Sequence, residues 1–252
     1  MNDILSIVLS SIHADMARAD RAAMNLANSQ TPGYKREAGT SAPFAGQWNQ
    51  AAARLEPRAM GEVAAVRTDT RAGTLRSTGQ PLDLALSGDG WFELATDNGL
   101  AYTRQGSFRL DATGRLVTAQ GHAVMGTSGA IQLLEGSPRI DAAGRVFEGG
   151  PATGPSGSTT PVPVAQLRIV QLEPGADLRR LGDGLVTSRG DPIAAAEGAV
   201  QVQQGFLENS NVVPMREMVD LMLAVRHLET MQKVAIGYDE MLATSIRKLG
   251  ET

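Results

Sequence analysis

Residues Pro214 to Leu249 read PMREMVDLMLAVRHLETMQKVAIGYDEMLATSIRKL. Within this stretch Gly237 is the only glycine and no proline follows Pro214. Met218, Leu221, Val225, Leu228, Ala235, Leu242, Ile246 and Leu249 recur at steps of three, four and seven residues. That spacing belongs to one face of a helix, and a strict version of it belongs to a coiled-coil seam. At 1.5 Å per residue the helix would run ~54 Å. Gln232 and Asp239 are polar positions on the seam, of the kind that sets register at some cost in stability. One helix cannot bury such a stripe alone. The opposite end of the chain supplies a match, because Leu5, Leu9, Ile12, Met16, Ala19, Ala23 and Leu26 follow the same alternation.

Both apolar faces are wider than a two-helix seam. Ile4, Ile7 and Val8 widen the first; Met215, Met222, Met231, Ile236 and Met241 widen the second. Wide faces call for more than one neighbouring helix, and other copies of the chain could supply them.

The 252 residues carry a net charge of −4 and no cysteine. Thiolate zinc sites, thiol catalysis and disulfides are therefore excluded. No basic block suggests nucleic acid, and no apolar run reaches membrane-span length. Asp3, His13, Asp15 and Arg18 interrupt anything resembling a secretory signal, so residues 1–28 are expected in the mature fold.

The first helix is expected to start near Asn2 or Asp3 and to stop near Asn28, ahead of Thr31-Pro-Gly33. Tyr34-Lys-Arg36 follows, a Tyr beside two cations that could touch a neighbour or act locally in capping and solubility. Residues 37–78 read as an extended connector ordered on neighbouring subunits, with a short helix possible over Gln47–Leu55. From Leu75 the pattern is strands and tight turns. Leu82, Leu84 and Leu86 alternate, Trp91–Leu94 reads as a strand, and Asp97-Asn-Gly99 marks a hairpin. A second hairpin turns at Asp111–Gly114, and Pro138–Val146 nearly repeats it. Residues 149–163 form a Gly/Pro/Ser/Thr linker, Val164–Leu172 a strand, and Val200–Leu207 a final strand before the last helix. The expected fold is α+β: long terminal amphipathic helices in a coiled-coil-like layer around a mostly antiparallel β-domain. Its divisions are 1–36, the connector 37–78, the β-domain 79–204, and 205–252.

Three stretches resemble the flagellar rod and hook axial proteins. The first is Asn25-Leu-Ala-Asn28 with Thr31-Pro-Gly-Tyr-Lys-Arg36. The second is Pro81-Leu-Asp-Leu-Ala-Leu-Ser-Gly-Asp-Gly-Trp-Phe92, continued by Tyr102-Thr-Arg-x-Gly-Ser-Phe108 and Gly114-Arg-Leu-Val-Thr-x-x-Gly121. The third is Gly205-Phe-Leu-Glu-x-Ser-Asn-Val212, followed by Glu217-Met, Arg226-His-Leu-Glu and Gln232-Lys-Val. The set is most similar to the proximal-rod branch, with the distal-rod and hook-type branches as the alternatives. Val213 and His227 depart from the family pattern.

The resemblance implies a subunit of a tubular drive shaft in the periplasm. Its partners would be other rod subunits and the flagellar type III export apparatus. Nucleic acid, membrane span and small-molecule substrate have no place in it. It implies intersubunit contacts at Leu5, Leu9, Ile12, Met16, Leu26, Asn28, Tyr34, Met218, Leu221, Val225, Leu228, Gln232, Leu242 and Ile246.

Catalytic and cofactor chemistry finds little support. His13, His122 and His227 lack metal-ligand spacing. Asp89 sits in a Gly-Asp-Gly turn that lacks the Lys and helix of a phosphate loop. Asp111 and Asp141 occupy matching turns, where Asx-turn bonding is the simple account. No cofactor or metal is expected. A cell-wall binding module using Trp48 or Trp91 as an exposed platform, or an enzyme acting on peptidoglycan, are the competing classes.

Overall fold

The computed structural model describes residues 2–39, 66–134, 137–148, 162–173, 178–188, 190, 192–196 and 198–250. The Gln47–Leu55 helix with Trp48, nearly all of the 149–163 linker, and the side chains of Leu5, Asp239, Leu242 and Ile246 lie outside the described residues. The chain divides into two compact units. One comprises Met1–Asn28, Glu37–Asp69 and Val212–Thr252, and the other Ser29–Arg36 and Thr70–Asn211.

The first unit is built on two helices, α1 (Asn2–Ala27) and α2 (Pro214–Gly250). Both limits follow the local chemistry. Thr31-Pro-Gly33 ends α1 territory, and Pro214 occupies the first turn of α2, where a missing N–H costs nothing. Val213 has no side-chain cap to offer, but its carbonyl accepts the N–H groups of Arg216 and Glu217. The helices run antiparallel. Asp15 meets His227 and Asn25 meets Glu217, ten residues apart on each helix. Carried to Asn2, that register reaches Glu240, so the last turns of α2 extend past the start of α1. Glu37–Gly39 pairs antiparallel with Val66–Thr68 in the same unit.

The second unit is β-rich. Its largest sheet runs, in spatial order, Leu178–Gly182, Leu185–Ser188, Gly99–Thr103, Trp91–Thr96, Ala123–Gly126, Leu116–Thr118 and Phe108–Leu110. Every pairing in it is antiparallel. The Asp97-Asn98 turn joins Thr96 to Gly99. Trp91–Leu94 is buried throughout instead of alternating, because both faces are covered. Phe92 and Leu94 enter the main core with Leu84, Leu116, Val124 and Val202, while Trp91 packs with Tyr102, Val170 and Val186. Phe92 and Phe108 meet edge to face at 5.2 Å.

The two matching hairpins form as the sequence suggests. Asp111 accepts the backbone N–H groups of Thr113 and Arg115, and Asp141 those of Ala143 and Arg145. Each Asp also holds the Arg four residues on.

The final strand differs from expectation. It is two strands, Gln201–Gln204 against Leu84–Ser87 and Phe206–Glu208 against Leu75–Ser77. Gly205 breaks it with a φ of +79°, open to glycine and strained for any other residue. Domain limits also differ. Residues 29–36, 70–78 and 205–211 belong to the β-rich unit rather than to the terminal regions or the connector. The reason is the bonding at the candidate site.

Candidate functional site

The helix pair buries the wrong stripe for an ordinary apolar seam. Among the described side chains, Val8, Asp15 and Ala22, at seven-residue steps, and Asn25 are the buried positions of α1; Glu217 and Ala224, also seven apart, are those of α2. The seam is small and polar, and specific bonds hold it. Asp15 Oδ2 lies 2.5 Å from His227 Nδ1. Asn25 Nδ2 donates to Glu217 Oε2 at 3.0 Å and to the Glu37 carbonyl at 2.9 Å, and Asn25 Oδ1 accepts the Glu37 N–H.

Many of the large apolar side chains point elsewhere. Leu9 (53 %), Met16 (51 %), Met218 (43 %) and Val225 (44 %) are exposed, with Met24, Met215, Met222, Leu223, Val234 and Ile236 beside them in the same state. Of the residues expected at intersubunit contacts, these first four are therefore uncovered within the chain. Gln232 is exposed as well, while Ile12, Leu26, Asn28, Leu221 and Leu228 are half-buried. Tyr34 is corrected. It is 4 % exposed and lies under the Arg180 guanidinium, 4.3 Å from the ring centre, inside its own chain.

Spacing gave no sign of the polar cluster in the β-rich unit. Glu208 is fully buried, and its carboxylate accepts from Lys35 Nζ at 2.6 Å, Arg104 Nη1 at 3.1 Å and the Gly73 N–H at 2.7 Å. Lys35 Nζ also donates to the Arg71 carbonyl, and Arg104 Nη2 to the Gly88 carbonyl. Arg104 stacks over Trp91 at 5.6 Å. Burial pushes the Arg104 guanidinium below its ordinary value, and the Glu208 charge opposes that shift. Gly33 closes the cluster. Its N–H bonds the Glu208 carbonyl, and a Cβ there would sit 2.4 Å from the Arg104 carbonyl carbon.

The three charged residues, Lys35, Arg104 and Glu208, come from three separate motif stretches, 31–36, 102–108 and 205–212. Each contributes one charged side chain set among glycine, aromatic and apolar neighbours. That setting was the available signal, but nothing in it names the partners.

Other expectations resolve simply. Trp91 is 4 % exposed, so it is no platform for glycan. His13 and His227 are exposed on the helices, and His122 is half-buried by a turn. Among the described residues no cluster of three or more His, Asp or Glu is arranged to hold a metal. No described helix is long and apolar enough to cross a membrane.

The chain is 34 % identical over 228 residues to the flagellar basal-body rod protein FlgF of Salmonella typhimurium, covering 86 % of each chain. The chain belongs to the flagellar basal-body rod protein family. The FlgF protein of Rhizobium meliloti is 32 % identical over 252 residues, covering 98 % of this chain and 97 % of its own length. The FlgG rod protein of Agrobacterium fabrum is 29 % identical over 265 residues, covering 97 % and 98 %. Residues 85–147 match the flagellar hook protein FlgE/F/G D1 domain, and residues 203–248 the flagellar basal body rod FlgEFG protein C-terminal region. The first match takes in the Trp91–Thr96 strand, Arg104 and both Asp turns; the second takes in Glu208 and most of α2.

Proposed function

We propose that this chain is a structural subunit of the proximal part of the flagellar basal-body rod, built into a tube with other axial subunits. α1 and α2 form a layer of that tube through their outward apolar faces. The tube transmits torque across the periplasm, and the subunit reaches it through the flagellar export apparatus. Its role is mechanical, with no catalytic step and no cofactor.

One observation supports this most. The described part of the intrachain seam is small and polar, while many large aliphatic and Met side chains of both helices, among them Leu9, Met16, Met218, Met222 and Val225, are left exposed. Fully burying a side chain of that size is worth ~1.5–3 kcal/mol, so contact with other subunits has a large reserve to draw on. The chain's lack of cysteine makes a clean test possible. Met16→Cys should react with a soluble maleimide in the dilute monomer and be protected in purified basal bodies. Equal labelling in both would remove the helix faces from the assembly contact.

A further inference from the structure

The backbone passes between the two units four times, at 28/29, 36/37, 69/70 and 211/212. Beside each passage, inside the β-rich unit, the same small group of bonds holds it. The Gly33 N–H bonds the Glu208 carbonyl, and Lys35 Nζ bonds the Glu208 carboxylate; these lie between the first two passages. The Gly73 N–H bonds the same carboxylate just after the third. Asn211, at the fourth, accepts the Arg36 N–H at 2.7 Å and donates to the Arg71 carbonyl at 3.0 Å. Arg104 ties the group to the large sheet, directly after the strand Gly99–Thr103. One buried carboxylate thus balances two buried cations and reaches three chain segments at once.

We infer that Glu208 clamps all four passages into a single rigid fixture, and that this fixture carries load between the units when the subunit works. This rests on the rod reading above. An ordinary packing role would need none of the shared bonding, and none of the cluster's charged residues belongs to the core formed by Phe92, Leu94 and Val124. A buried carboxylate that loses its charge leaves both cations unbalanced, so every segment it holds loosens together.

Amide exchange on the purified full chain tests the clamp. In Glu208→Gln, the Gly33, Arg36 and Gly73 amides should exchange at least tenfold faster, by a similar factor, while Leu94 and Val124 hold their wild-type rates. Acceleration confined to Gly73, which bonds the altered carboxylate directly, would overturn the clamp. Asn211→Ala keeps every buried charge and serves if Glu208→Gln does not fold. It should speed up Gly33 and Gly73, neither of which bonds the Asn211 side chain, and unchanged rates there would also overturn it.

The load claim is read in cells. A strain carrying Asn211→Ala should build rods and swim in dilute medium, yet lose speed more steeply than wild type as viscosity rises. Identical viscosity dependence would overturn the load claim. Failure of the rod reading itself would look different, because a strain deleted for the chain would then keep its rods and its swimming.

Discussion

Asp15 is buried on α1, and its carboxylate meets His227 Nδ1 across the antiparallel pair at 2.5 Å, in the same register that brings Asn25 to Glu217. His227 is half exposed, so the pair is lopsided: one partner is deep in the seam and the other reaches it from the surface. Replacing His227 leaves the carboxylate in the seam without this contact. His227→Ala should therefore weaken the helix pair by ~1–3 kcal/mol, the usual cost of stranding a buried hydrogen-bonding group. Asp15→Ala should cost less in the His227→Ala background than alone, a coupling that a double-mutant cycle on Ala22 amide exchange would register. Additive losses would show that the contact contributes nothing.

The β-rich unit depends on its outlying segments. A fragment of residues 75–205 keeps Arg104 but lacks Lys35, Gly73 and Glu208, so a buried cation loses its carboxylate. Breaking a buried pair this way costs ~3–5 kcal/mol, a large share of the ~5–15 kcal/mol that holds a domain together. Calorimetry should show cooperative melting for a 29–211 fragment. The 75–205 fragment should melt far lower or without a cooperative transition, and equal melting would show the cluster to be energetically idle.

Local chemistry made most of the secondary structure legible. Pro214, Thr31-Pro-Gly33 and the Asp-x-x-Gly turns act within a few residues, so both helices and both hairpins could be placed from the sequence. The helix phase could not. Reading apolar side chains as the seam selects Leu9, Met16, Met218 and Val225, yet the pair closes one residue earlier on Val8, Asp15, Glu217 and Ala224. Hydrophobic periodicity reports which face needs covering but not what covers it. Here paired polar contacts between α1, α2 and Glu37 set the phase. The Lys35–Glu208–Arg104 cluster was hidden for a related reason. A charged residue reads as exposed unless its partner is known, and these partners lie 104 and 173 residues away.

Acid should loosen the two hairpins. The Thr113 hydroxyl and then the Arg115 N–H hold the Asp111 carboxyl below the usual range. Partial burial works against the Asp141 carboxylate, but the Arg145 N–H and side chain outweigh it and lower that carboxyl too. A carboxyl depressed in the folded state contributes stability above its unfolded value, about 3.9, and loses it as pH falls through the folded value. The wild-type Tm should therefore drop as pH goes from 5 to 2, in part through these turns. Asp111→Asn with Asp141→Asn should melt lower than wild type at pH 7 and show a shallower acid slope. Parallel curves would assign the acid response elsewhere.

The last prediction separates fold from assembly on a single helix. Leu228 and Val225 both stand on the apolar stripe of α2, three residues apart, but Leu228 is half-buried in its own chain and Val225 is 44 % exposed. A charge at Leu228 would disturb the intrachain pair before any neighbour arrived, so its failure to assemble would be ambiguous. A charge at Val225 meets water in the monomer, where a surface change is worth about 0.5 kcal/mol or less. In the assembled layer it would sit unpaired among apolar side chains, at a cost of several kcal/mol repeated in every copy. Val225→Asp should therefore match the wild-type melting curve and the wild-type exchange at Ala22, yet fail to complement a deletion strain for swimming. Leu228→Asp should fail in both assays. Swimming restored by Val225→Asp would show that this face of α2 meets no other subunit.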